Sequence, residues 1–159
     1  MPKPRTPIIL GVKPLHPDAI LPERKTEGAA CFDLCALEDA YIPPINAQES
    51  AHLVRTGLAF DIPQGYHISI YLRSSTGLYT KLRLANQTGI IDSDYRGEVQ
   101  LIVENLGRTP IRIAKGARIA QFLIERDLPV AITEVKTLSE TARGAAPSGS
   151  TGGTIHGSV

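Results

Sequence analysis

The chain has no tryptophan, one methionine and two cysteines, and its aromatic content is 5%. A core must therefore be built mainly from aliphatic side chains. Its 159 residues suit one domain that removes about two-thirds of its unfolded surface from water, so neither disulfide staples nor a structural metal is needed. Charge of one sign is missing too: 17 Lys plus Arg face 16 Asp plus Glu, leaving +1. That balance excludes the broad basic field that drives nonspecific binding to nucleic acid or anionic lipid, so any polyanion must meet a local cluster. Apolar stretches are only a few residues long, against the ~20 that span a bilayer. The opening MPKPRTPIILGVKP lacks an h-region and a small-residue cleavage site. The expectation is a cytoplasmic or nuclear protein, not secreted, with no membrane and no nucleic-acid partner.

Several common chemistries are absent as well. Cys31 and Cys35, if carried on a strand, stand about 13 Å apart, too far for a disulfide. His16, His52, His67 and His156 are scattered without the spacing of zinc ligands. There is no G-x-x-x-x-G-K-[ST] loop and no strand-linked G-x-G-x-x-G.

What is present is strand periodicity. Residues 66–72, YHISIYL, alternate cleanly and place Tyr66, Ile68, Ile70 and Leu72 on one face, with His67, Ser69 and Tyr71 on the other. Residues 50–60, 99–104, 110–114, 119–124 and 130–136 are likewise short, aliphatic or β-branched, and separated by turn punctuation such as Pro63-Gln64-Gly65. One short helix is expected over 75–82, where a Ser/Thr-rich start offers caps. Many short strands at regular spacing predict an all-β sandwich, barrel or jelly roll. From Thr137 the composition turns small, Gly-rich and Ser-rich. The expected organisation is a β-sandwich domain over 1–136 and a flexible tail over 137–159.

Four segments combine acids, bases, hydroxyls and glycines beyond what packing requires. In AACFDLCA, Asp33 interrupts an apolar run, as a strand-end aspartate or as an acid with a task. In LRSSTG, Arg73 stands beside Ser74 and Ser75 directly after the clearest strand. The hydroxyls fit a helix start, and a guanidinium fits phosphate. NQTGIIDSDYRGEV, residues 86–99, reads as a hairpin. Its acids form a solvated loop or supply a carboxylate able to activate water or position a metal, beside an aromatic ring that can stack on a sugar or base. In GARIAQF, Gln121 sits among apolar neighbours and needs partners from protein or ligand. In the tail, Arg143 with Gly149, Ser150 and Thr151 is either a loose terminus or a set of donors that wraps an anion.

Taken together and in order, from 29 to 152, these segments resemble the five motifs of the homotrimeric deoxyuridine triphosphatases. GIIDSDYRGEV is the most diagnostic, RSSTG and GARIAQFLI are supportive, and AACFDLCA and RGAAPSGSTG are looser. The resemblance implies a distorted jelly-roll or β-clip sandwich, a homotrimer with shared active sites, and hydrolysis of dUTP to dUMP and pyrophosphate. Such an activity keeps uracil out of DNA and supplies dUMP for dTMP synthesis. By the same resemblance Asp92 is the general base, Tyr95 lies under the deoxyribose, and Asn86 with the backbone at Gly89 and Ile91 reads uracil. Arg73, Ser74, Ser75 and Gln121 hold phosphates, and Asp33 binds waters of a Mg²⁺ carried by the triphosphate. Arg143, Gly149, Ser150 and Thr151 clamp the γ end as the tail closes over a neighbour's site.

Two positions depart from that pattern. Ala146, Pro147 and Ser148 stand where the family's tail carries a glycine pair and a uracil-stacking phenylalanine, and Cys31 replaces a frequent glycine. The alternatives are a dCTP deaminase-type or bifunctional relative, against which Asp94-Tyr95 argues, and a slack nucleotide-binding trimer that acts as a protein-binding switch.

Overall fold

The computed structural model describes residues 7–45 and 51–145. Among the described residues eleven strands and one helix follow in order: β1 Gly11–Pro14, β2 Phe32–Cys35, β3 Ala40–Ile42, β4 His52–Arg55, β5 Leu58–Asp61, β6 Tyr66–Leu72, α1 Ser74–Tyr79, β7 Leu82–Leu84, β8 Gly89–Ile91, β9 Gln100–Asn105, β10 Ile111–Ile113 and β11 Arg118–Arg126. All named pairs are antiparallel. They form a four-stranded sheet β2-β11-β6-β8, a three-stranded sheet β4-β9-β7, and the pairs β1-β5 and β10-β3. The protein is nearly all-β, as its periodicity predicts, and a distorted jelly-roll sandwich, as the resemblance implies.

Alternation decides which side chains are inside. On β6, Ile68 and Ile70 are buried in the core with Tyr66 and Leu72 packed against it, and Tyr71 faces out. On β9, Leu101 and Val103 are buried while Ile102 between them is exposed. The core is aliphatic apart from phenylalanine. All three phenylalanines of the chain meet: Phe32 stacks on Phe122 and Phe60 meets it edge-on, each at 5.4 Å between centroids.

The expected strand over 50–60 is divided. Gly57 takes a φ of +69° between β4 and β5, and a Cβ there would lie 2.9 Å from Ala19 Cβ, so the chain turns where a side chain has no room. Gly65, at φ +81°, closes the turn into β6 with Tyr66 N–H donating to Pro63 O at 3.2 Å. The expected helix over 75–82 is shorter, Ser74–Tyr79, and its N-cap is Arg73, with no side-chain cap bond from the hydroxyls.

The chain divides into two compact units, Met1–Leu128 and Pro129–Val159. The first carries every named strand and the helix. In the second, the expected strand over 130–136 does not form. Val130, Ile132 and Val135 are exposed, Ile132 at 97%. Period-two patterning makes a strand only where a neighbour accepts its hydrogen bonds, and among the described residues no strand pairs with this segment. Farther on, Gly144 N–H donates to Thr141 O at 3.1 Å, closing a turn that holds Arg143 on its exposed side.

Candidate active site

Predicted residues gather at two places on the four-stranded sheet, around the C-terminal end of β6 and along its edge strand β8. Around the end of β6, β11 pairs with β2 and β6 so that Gln121 lies opposite both Asp33 and Tyr71. Arg73 follows directly on β6, its extended backbone (φ −70°, ψ 145°) ending the strand and capping α1. Arg73 Nε donates to Asp33 Oδ1 at 2.9 Å, and Arg118 Nη1 donates to Asp33 Oδ2 at 3.0 Å. Arg73 Nη1 also reaches the Arg118 carbonyl at 3.3 Å. Each oxygen of a carboxylate that is only 11% exposed thus holds one guanidinium. The arrangement fixes two cations beside the exposed Ser74 and Ser75, which suits a polyanionic ligand.

Arg118 was missed by sequence reasoning. Its signal was its place in GARIAQF, three residues before Gln121 on the strand that faces Asp33. That pairing became visible only with the register, which is offset by an irregularity between Arg118 and Ala120. Nearby, burial and then the Asp33 charge push the Cys35 thiol above its ordinary value. Both cysteines are free.

Along the β8 edge, the chain leaves β7 through a turn in which Gln87 N–H donates to Leu84 O and Gln87 takes φ 61°. Asn86 and Gly89 are brought together: a Cβ on Gly89 would lie 3.7 Å from Asn86 Nδ2 and 3.4 Å from Ile70 Cβ. Residues 86–99 do not form the expected self-paired hairpin. β8 pairs with β6, and the next strand, β9, belongs to the other sheet. β8 is the edge of its sheet, so its outer backbone groups face away from β6 without a strand partner among the described residues, open to a planar ligand that matches their donors and acceptors.

Asp92 follows Ile91 and opens a tight turn closed by Tyr95 N–H on Asp92 O at 3.2 Å. Tyr95 is 46% exposed and donates its hydroxyl to Glu98 O at 3.1 Å. Arg96 fastens the turn, giving Nη1 to Ser93 O at 2.7 Å and Nη2 to Asp61 on β5 at 2.9 Å. Glu98 accepts from Arg55 Nε at 3.0 Å and from Gly57 N–H at 2.8 Å. Asp92, Tyr95, Ile90 and Ile91 line a cavity of about 410 Å³ that also touches Leu53 and Ile102. A carboxylate and an aromatic face thus share one half-open recess beside the free edge of β8.

Asp92 and Arg73 stand apart within one chain. Ile91, next to Asp92, pairs with Ile68, five positions before Arg73, which follows the end of β6, about 17 Å at the rise of a strand. A separate cavity of about 290 Å³ opens beside Asp33 and Arg118. Gly149, Ser150 and Thr151, with Ala146, Pro147 and Ser148, lie outside the described residues. Among the described residues no three His, Cys, Asp or Glu cluster as metal ligands, and no helix is long and apolar enough to cross a membrane.

A family profile described as dUTPase matches residues 17–152. The deoxyuridine 5'-triphosphate nucleotidohydrolase of Wolinella succinogenes is 44% identical over 138 residues, 87% of this chain and 90% of that one. The protein of the same name from avian adenovirus 8 is 42% identical over 150 residues, 94% and 88% of the two chains. Among solved structures, the Staphylococcus bacteriophage 80alpha dUTPase with dUpNHpp matches with a TM-score of 0.82 at 26% identity, covering 91% of this chain and 98% of that one. With the profile spanning most of its length and relatives above 40% identity, the chain belongs to the dUTPase family.

Proposed function

We propose that the protein hydrolyses dUTP to dUMP and pyrophosphate, with Asp92 as the general base. The observation that carries this reading is the recess that Asp92 and Tyr95 share beside the unpaired edge of β8. Uracil pairs with the edge backbone and Asn86, near Gly89 and Ile91, and the deoxyribose rests on the Tyr95 ring. A site that matches one donor and acceptor pattern leaves buried groups unpaired against cytosine, which discriminates better than shape does. Asp92 takes a proton from a water as its oxygen bonds to the α-phosphorus. The bond from that phosphorus to the bridging oxygen breaks, and pyrophosphate leaves with the electron pair.

Arg73, Ser74, Ser75 and Gln121 hold the phosphates, and Arg118 joins them through Asp33. Arg143 and the tail residues Gly149, Ser150 and Thr151 complete the clamp. The donor set fits Mg²⁺ only through water. Both Asp33 oxygens already hold guanidinia, so their remaining lone pairs are left to accept from water, the manner in which Mg²⁺ on a triphosphate keeps most of its shell. When bound, the ion neutralises charge that develops on the phosphates.

The distance between Asp92 and Arg73 along β6 supports a homotrimer with shared sites. A base must lie within hydrogen-bond reach of the water it activates, so Asp92 of one copy serves the phosphates that Arg73 of another holds. The tail over 137–159 closes over a site built by its neighbours, and the setting is cytoplasmic or nuclear.

The test is pyrophosphate release with Mg²⁺ from dUTP, dCTP, dTTP and UTP in parallel. Turnover of dUTP alone, reduced about 10²- to 10⁴-fold in Asp92→Asn, is the expected result. Equal turnover by that variant would remove Asp92 from the chemistry.

A further inference from the structure

We infer that Gly97 is a positioning residue for the sugar subsite, its missing side chain forming the seat on which the Tyr95 ring lies. A Cβ built on Gly97 would collide with the Tyr95 hydroxyl oxygen and stand 2.6 Å from Cζ and 3.1 Å from Cε2. The phenol end of the ring therefore lies directly against the Gly97 α-carbon. Backbone conformation does not demand glycine here, because Gly97 is not among the residues with positive φ. The requirement comes from the ring alone.

The ring is also tied down at that end, through its hydroxyl to the Glu98 carbonyl at 3.1 Å. Glu98 is itself anchored by Arg55 and the Gly57 N–H. Seat and tether are consecutive residues, so the height of the ring in the Asp92 recess is set by the backbone at 97–98. A methyl group at 97 cannot be accommodated in place. It displaces the ring and breaks the tether, shifting the face on which the deoxyribose is proposed to rest, where the extra 2'-hydroxyl of a ribose would press against the ring.

This inference rests on the reading of Tyr95 as the sugar platform, so its test separates the two. The kcat/KM for dUTP and for UTP is compared in the wild type, Gly97→Ala, Tyr95→Ala and the double variant, with the Tyr95 ring signals followed by NMR. In Gly97→Ala the preference for dUTP falls about tenfold, mainly through KM, as expected for a misplaced contact rather than lost chemistry. In the Tyr95→Ala background the same substitution adds nothing, because its target is gone. An unmoved ring, or an equal loss in both backgrounds, overturns the seat. A moved ring with the preference intact overturns the sugar reading, as does an unchanged preference in Tyr95→Ala. If Gly97→Ala folds poorly, the double variant recovers the Tm; failure to recover it also overturns the seat.

Discussion

Arg73 reaches Asp33 across 2.9 Å from Nε to Oδ1, so the cation proposed to grip phosphate is held in place before any ligand arrives. Arg118 holds the other oxygen. Replacing Asp33 with Ala leaves two guanidinia side by side without a counter-charge. Because both arginines are partly solvated, the expected cost is about 1–2 kcal/mol rather than that of a fully buried pair. KM for dUTP should rise with it. Thermal melts and steady-state kinetics check this, and an unchanged KM would show that Arg73 needs no anchor.

Glu98 joins the active-site turn to the β4–β5 corner. Its carboxylate takes Arg55 Nε and the Gly57 N–H, and Thr56 Oγ1 donates to the next carbonyl, Val99 O, at 2.6 Å. Glu98→Ala orphans a backbone donor at a residue that must stay in the left-handed region. Urea unfolding should show a loss of about 2 kcal/mol, whereas Glu98→Gln, which still accepts from Gly57, loses less.

The two thiols should react differently. Cys35 is buried and its thiolate is disfavoured by burial and by Asp33, so its pKa lies above 9.0. Cys31 is half-buried. Native protein at mildly alkaline pH should label Cys31 first, with Cys35 following only as the chain unfolds. Equal labelling rates would contradict the packing around β2.

Asp39 supplies a pH signature. The Lys115 backbone N–H and then the Arg112 guanidinium hold its carboxyl below the ordinary 3.8. A carboxylate whose folded pKa is depressed stabilises the fold above its unfolded pKa, and that stability is lost as pH falls through the folded value. The Tm of the wild type should exceed that of Asp39→Asn by a constant margin above pH 3.8 and converge with it below. A margin that persists in strong acid would assign it to packing.

Some of this was legible before the fold. The strand at Tyr66–Leu72 is legible with its apolar face, although Ser69 on the other face is buried as well, because β6 lies in the interior of its sheet. Asp33, Arg73 and Gln121 are grouped in the sequence only through the family resemblance, and the register of β2, β11 and β6 supplies the physical reason they lie together. Three things stayed hidden. The break at Gly57 depends on Ala19 and Leu37 packed against it from elsewhere in the chain. The apolar alternation at Val130 and Ile132 looks like a strand but has no strand partner among the described residues. The role of Gly97 is a contact with a ring two residues away, invisible in a motif that reads simply as turn chemistry.

The central claim is that the Asp92 recess of one copy works with the Arg73–Asp33–Arg118 cluster of another. Asp92→Asn and Arg73→Ala proteins, each with little activity alone, are unfolded together, refolded as a mixture and assayed for dUTP turnover. The account predicts recovery toward about a quarter of wild-type activity, the share of interfaces that pair an intact Asp92 with an intact Arg73. If the mixture is no more active than its components, both residues serve the same chain and the shared site is wrong.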